Sequence, residues 1–241
     1  MAVERVEGII LGETNYSESS KILKIYTKEY GIISVISKGC RNLKSKLRGV
    51  SNKLVYANFH IYYKENGIST LKEADVVDTL RNIFIDIDKI YKVSFITNLA
   101  EQVYKQSKSD EIYPIFISII KKMNEGYDSD VLISILELKL LDFLGIRPNV
   151  DECSICGNTS DILTFSSNDG GFVCQNCYKC GKIYSSQIVK LVRMFFYIDV
   201  NNISKINLSN ETKKELTELI EDYYETYSGI YLKKMNFLIK E

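Results

Sequence analysis

The chain has 241 residues, 45% apolar and 26% charged, with 31 lysines and arginines balanced by 31 aspartates and glutamates. That balance excludes a uniformly basic nucleic-acid binder while allowing a local basic patch. With two prolines and no tryptophan, the composition also excludes proline-rich, collagen-like and disordered chains. No run approaches the roughly 18 uncharged apolar residues of a membrane helix. Met1-Ala2-Val3-Glu4-Arg5-Val6-Glu7 carries acids where a signal peptide wants bare positive charge. A soluble, cytoplasmic protein with no membrane partner is expected, of one or two domains by length.

The first eighty residues read as strands. Residues 6–13, 21–28 and 32–38 are short runs rich in Ile, Val and Tyr between polar or glycine-bearing turns. Residues 55–64 alternate, with Val55, Ala57, Phe59, Ile61 and Tyr63 on one face and Tyr56, Asn58, His60, Tyr62 and Lys64 on the other. Glu65-Asn66-Gly67 carries a hairpin turn signal, and residues 68–77 return as a fifth strand. Five such strands with a late hairpin suggest a small barrel, an OB-fold first and an SH3-like barrel second.

Beyond residue 80 the period becomes helical. Ile112, Ile115, Phe116, Ile119, Ile120 and Met123 mark one stripe. Residues 131–144 are apolar nearly all round, as in a buried central helix. Ile188, Leu191, Val192, Phe195 and Phe196 form a further stripe, as do Leu216, Leu219, Ile220, Tyr223, Tyr224 and Tyr227. The plain reading of these stripes is core packing. The expected class is α+β: a five-stranded OB-fold barrel over residues 1–80, then a helical domain over 81–241 with a cysteine-rich insert at about 150–182.

Five of the six cysteines fall within residues 153–180. Cys153-Ser154-Ile155-Cys156-Gly157 and Cys174-Gln175-Asn176-Cys177 are two C-x2-C knuckles separated by 17 residues, the spacing of a four-thiolate zinc site. Residues 162–165 and 171–173 can pair as a hairpin that brings the knuckles together. Cys153, Cys156, Cys174 and Cys177 are the preferred ligands, with Cys180 a competitor for the place of Cys177. Four thiolates close the coordination sphere, so the expected cofactor is a structural zinc ion.

From Lys38 to Lys53 the chain holds six cations and no acid: Lys38, Arg41, Lys44, Lys46, Arg48 and Lys53. This stretch follows a predicted strand and bears glycine and serine, so it reads either as a flexible rim loop that contacts phosphates or as a solvated lysine-rich loop. Tyr56, His60 and Tyr62 fall opposite the apolar face of the fourth strand, and Lys24, Tyr26 and Lys28 fall opposite Leu23 and Ile25. Exposed aromatics among lysines suit base stacking by single-stranded nucleic acid, which singles out Tyr56 and Tyr62; the bland alternative is packing. His60 reads as a surface or interface residue. No P-loop, G-x-S-x-G or G-x-G-x-x-G is present, and no nucleophile–base pair is evident, so a non-enzyme is expected.

Several segments resemble the RecO family of bacterial recombination mediators. They are Glu7-Gly8-Ile9-Ile10-Leu11, Tyr16-Ser17-Glu18-Ser19-Ser20-Lys21-Ile22-Leu23, Thr27-Lys28-Glu29-Tyr30-Gly31, Lys38-Gly39, Leu136-Glu137-Leu138-Lys139-Leu140-Leu141-Asp142-Phe143-Leu144-Gly145-Ile146-Arg147-Pro148 running into the first knuckle, and Gly170-Gly171-Phe172-Val173-Cys174. The resemblance implies an OB-fold, a helical domain with an embedded zinc ribbon, and a role in DNA repair and recombination. It implies binding of single- and double-stranded DNA, annealing of complementary strands and, with RecR, loading of RecA onto strands coated by single-strand-binding protein, at the nucleoid. The basic loop would be the DNA contact and the four knuckle cysteines the zinc ligands. Ser51-Asn52-Lys53-Leu54-Val55 lacks the proline-phenylalanine pair that the family pattern places after the basic loop. The competing classes are a protein-assembly adaptor and an RNA-binding or transcription-associated zinc-ribbon protein.

Overall fold

The computed structural model describes residues 2–230 and 232. The chain divides into two compact units, the first ending at Ile85 and the second beginning at Asp86.

The first unit is built on five strands: β1 (Glu4–Asn15), β2 (Lys21–Thr27), β3 (Gly31–Ser37), β4 (Tyr56–Tyr62) and β5 (Ile68–Asp78). They close into a barrel in the order β1-β2-β3-β5-β4, with β4 returning to β1. Only the β3–β5 pairing is parallel, through Ser34–Ile68, Val35–Ser69 and Ile36–Thr70. Closure in this order is the OB-fold topology, and it leaves no strand edge exposed for pairing with another chain. The barrel is filled by Val6, Ile10, Leu23, Ile25, Val35, Ala57, Phe59, Ile61 and Leu71, contributed from alternate positions of all five strands. Each large member of this set contributes roughly 1.5–3 kcal/mol on burial. A side chain at Gly8 would stand 2.7 Å from the Tyr26 carbonyl oxygen, so the close approach of β1 to β2 requires glycine there. A short helix, α1 (Arg81–Phe84), ends the unit.

The second unit contains α2 (Ile87–Ser107), α3 (Ile112–Asn124), α4 (Ser129–Phe143), a hairpin of β6 (Ile162–Ser166) and β7 (Gly171–Cys174), then α5 (Ser186–Tyr197) and α6 (Asn210–Tyr227). The near-continuous apolar run becomes α4, the central helix, which packs against α2, α3, α5 and α6. Even Glu137 is fully buried on α4, and the Tyr224 hydroxyl of α6 donates to its backbone carbonyl at 2.8 Å. The helix starts follow from short polar side chains. The Asp86 carboxylate accepts from the amides of Asp88 and Lys89, and Asp128 does the same for Asp130 and Val131. Ser185 and Ser209 cap α5 and α6 by accepting from Ile188 and Thr212. Lys92 ties α2 to the start of α4 through Asp130 at 2.8 Å, while Asp88 on its own helix holds the same ammonium at 2.7 Å. No helix among the described residues is long and apolar enough to cross a membrane.

Candidate metal centre and nucleic-acid surface

The cysteine insert folds around the β6–β7 hairpin. Its first knuckle follows a segment in which Asn149 bridges Gly171 in parallel register. The Asn149 amide donates to the Gly170 carbonyl at 2.9 Å, and the Phe172 amide donates to the Asn149 carbonyl at 2.8 Å. The Ser154 amide reaches the Phe172 carbonyl at 2.7 Å, so the knuckle is laid directly along β7. Gly171 has φ 150°, and a side chain there would come within 2.2 Å of the Asn149 carbonyl oxygen. Only glycine lets the two segments meet this closely.

Sulfur atoms of Cys153, Cys156, Cys174 and Cys177 all lie within 4.8 Å of one another, with Cys156 and Cys174 at 3.7 Å. Zinc–thiolate bonds of about 2.3 Å in a tetrahedron place sulfurs about 3.8 Å apart, so the donor set fits zinc in number, type and spacing. Cys180 is exposed and stands outside this group. The turn that carries it is closed by the Tyr178 hydroxyl donating to the Gly181 carbonyl at 2.9 Å. The knuckles also receive backbone donors: the Cys174 amide points to the Cys153 sulfur at 3.4 Å, and the Gly157 amide donates to the Cys153 carbonyl at 2.8 Å. Burial raises the Cys153 thiol, but donors from Cys174, Cys156 and Ile155 overcome it and bring the thiol down to about 6. Cys177, facing Cys156 and partly desolvated, is pushed up to about 12. Thiol protons must leave for the cysteines to ligate a metal, so metal binding at this cluster strengthens as pH rises. Held by these four protein ligands, a zinc ion would have no open position for substrate and would act structurally, fixing the hairpin and both knuckles.

The basic stretch lies between β3 and β4, at one end of the barrel. Lys38, Arg41, Lys44, Lys46 and Arg48 are exposed, whereas Lys53 is half-buried. The sequence predicts a flexible loop; the structure instead shows a staircase of turns. Amides of Asn42, Ser45 and Arg48 donate to the carbonyls of Gly39, Asn42 and Ser45 at 3.0–3.2 Å. Buried Cys40, Ser51 and Leu54 anchor the loop, and Ser51 shares a 2.8 Å hydrogen bond with Ser37 on β3. Lys21 of β2 adds donors to the Ser51 carbonyl and the Asn52 side chain. Short-range turns and inward-facing small side chains therefore hold the cations on a fixed ledge, despite the absence of the proline-phenylalanine pair.

The predicted aromatic face needs correction. Tyr56 is 2% exposed and Tyr26 is fully buried. The β4–β5 register shifts between Tyr56 and Ala57, which breaks the alternation at the first residue of the strand. Ile9 pairs with Tyr26 on one side and Tyr56 on the other, so the three form one buried row across β2, β1 and β4. The Tyr56 hydroxyl is committed to the Glu7 carboxylate at 2.5 Å, and burial together with that carboxylate raises its pKa. Tyr62 is half-buried, with the Lys72 ammonium 4.8 Å from its ring centroid. Tyr62 pairs with Thr70 on β5, whose neighbour on the other side is Ile36 on β3. His60 bonds Asp75 on β5 at 2.9 Å, an exposed pair consistent with a surface residue.

Two exposed apolar side chains at the loop end escape the alternation signal: Tyr16, 61% exposed, and Leu43, 82% exposed. Tyr16 belongs to the β1–β2 turn and Leu43 to the basic loop. The available signal was their position, a large apolar residue isolated in a polar turn.

Comparison with known proteins places both units. A family model described as Recombination protein O N terminal matches residues 1–80, and one described as Recombination protein O C terminal matches residues 85–236. The DNA repair protein RecO of Listeria monocytogenes serotype 4b is 33% identical over 240 residues, covering 98% of this chain and 94% of that protein. The proteins of the same name from Halalkalibacterium halodurans and Bacillus pumilus are 33% and 30% identical, covering 97% and 96% of this chain and 93% and 92% of theirs.

Proposed function

The chain belongs to the RecO family of DNA repair and recombination proteins, and on that premise we propose that its barrel holds DNA strands on the β3–β4 ledge. The family's members are non-catalytic mediators, so the work is binding and alignment rather than bond making. The observation that carries the reading is the ledge itself: six cations without an acid, in a chain of zero net charge, on a loop pinned by Cys40, Ser51 and Leu54.

Lys38, Arg41, Lys44, Lys46, Arg48 and Lys53 contact phosphates of single- and double-stranded DNA. Such contacts carry no sequence information and reverse readily, which annealing of unrelated complementary strands requires. Two strands neutralised on one surface meet at raised effective concentration. The zinc ribbon supplies rigidity to the helical unit, since four thiolates and a metal substitute for a core too small to stand alone. RecR and single-strand-binding protein are the protein partners on this reading, with RecA loaded as the downstream consequence at the nucleoid. On this reading the nucleic-acid-binding domain is residues 1–80, which fall within the first compact unit, and the helical domain follows it.

Annealing of two complementary labelled strands, precoated with single-strand-binding protein, tests the proposal. The full chain should accelerate annealing, less so at higher salt, and Lys44→Glu/Lys46→Glu should abolish the acceleration. No acceleration at either salt from a folded, zinc-loaded sample would refute it.

A further inference from the structure

We infer that Tyr16 and Leu43 are the base-contacting side chains of the barrel: Tyr16 offers a ring on which an unpaired DNA base stacks, and Leu43 an apolar flank beside it. The inference deepens the proposed DNA-binding role of the basic loop and rests on it. Lysine and arginine alone grip the phosphate backbone equally well whether or not the strand carries bases. Retaining an unpaired strand by its bases needs a π-face or an apolar side chain open to solvent. Tyr56 and Tyr26 are buried, and Tyr62 is half-buried with its ring already covered by the Lys72 ammonium.

Tyr16 and Leu43 meet the requirement where the cations are. The β1–β2 turn closes on itself when the amides of Tyr16 and Ser17 donate to the Ser20 carbonyl. Three further bonds join this turn to the basic loop. The Arg41 amide donates to the Ser19 carbonyl at 2.9 Å, its guanidinium donates to the Ser17 carbonyl at 2.7 Å, and the Gly39 amide donates to the Ser20 hydroxyl at 3.2 Å. Tyr16 adjoins one of the joined residues, and Leu43 follows Arg41 by two positions. Turn and loop therefore form one ledge, with an exposed ring near one edge and an exposed leucine within the run of cations. A single exposed apolar residue is ordinary on any surface. Here two of them flank the hydrogen bonds that join the turn to the cationic loop. Because the ledge is already ordered by those bonds, a strand landing on it does not pay for folding the loop. Glu18, exposed in the same turn, is an acid that would disfavour phosphate contact close to it.

The test compares a fluorescent thymidine oligonucleotide with an abasic strand of equal length, using the full zinc-loaded chain. The wild type should prefer the base-bearing strand on the order of tenfold, as expected for one base–aromatic stack. Tyr16→Ala should remove most of that preference and Leu43→Ala part of it, while Tyr16→Phe keeps it. Affinity for the abasic strand and its salt dependence should be unchanged in all three variants. Equal wild-type affinity for both strands overturns the inference while leaving the phosphate-binding role standing, as does full preference retained by Tyr16→Ala/Leu43→Ala. Absence of wild-type binding to either strand at low salt overturns the DNA-binding role and this inference together.

Discussion

Gly171→Ala is expected to dismantle the metal centre without touching a ligand. The new methyl carbon would lie 2.2 Å from the Asn149 carbonyl oxygen, 2.7 Å from its nitrogen and 2.9 Å from its carbonyl carbon, all backbone atoms that no rotamer change can move. Relief requires Asn149 to retreat by more than 1 Å relative to ordinary contact of about 3.4 Å, which breaks the Phe172–Asn149 and Asn149–Gly170 hydrogen bonds. Two net backbone bonds cost about 0.5–1.5 kcal/mol each. Holding a side chain at φ 150° costs roughly a further 1–3 kcal/mol. A total near 4 kcal/mol lowers Tm by roughly 8–16 °C for a chain of this size. It also frees the segment that carries Cys153 from the hairpin that carries Cys174, so zinc should pass to a chromogenic chelator faster and at lower chelator concentration. Gly49→Ala is the control, because a side chain at Gly49 meets nothing within 4 Å. A Gly171→Ala variant that melts and retains zinc like the wild type would refute the reasoning.

Other consequences follow from single side chains. Tyr56→Phe should cost about 0.5–1.5 kcal/mol in thermal unfolding through loss of the Glu7 bond, and leave oligonucleotide affinity unchanged; a loss of affinity would return Tyr56 to the binding surface. Burial raises the Tyr223 hydroxyl to about 12, so its contribution to stability is complete below the ordinary tyrosine value near 10 and is lost as pH rises through about 12. Alkaline denaturation should accordingly begin above pH 10 and be less steep in Tyr223→Phe; identical profiles would contradict this. Gly8→Ala should lower barrel stability because its methyl meets the Tyr26 carbonyl, and a circular-dichroism melt unchanged from the wild type would show that β1 and β2 can separate.

What the sequence made legible is what short-range pattern controls. The alternation of Ala57, Phe59 and Ile61, the knuckle spacing from Cys153 to Cys177 and the apolar stripe of α3 each imply their element directly, because one face or one ion sets the period. The parallel β3–β5 pairing is different, since it joins residues 34 and 68 only once the barrel closes. Tyr56 was misread because a register shift beside it uncouples position parity from exposure. The order of the basic loop was hidden for another reason: its anchors, Cys40, Ser51 and Leu54, are unremarkable in composition and acquire meaning only against Ser37 and Lys21 on neighbouring strands. Cys180 has the same spacing from Cys177 as a ligand pair would, and only three-dimensional placement leaves it outside the cluster.

The most direct measurement is the affinity of the full chain for a single-stranded oligonucleotide as a function of salt. A ledge that neutralises phosphates gives a slope of log affinity against log salt of about −3 if Lys38, Lys44, Lys46 and Arg48 engage, and about −4 if all six cations do. Lys44→Gln/Lys46→Gln should make the slope shallower by about 1.4, from about 0.7 per phosphate contact. A flat salt dependence, or a slope unchanged in that variant, would contradict the assignment of the β3–β4 ledge as the DNA surface.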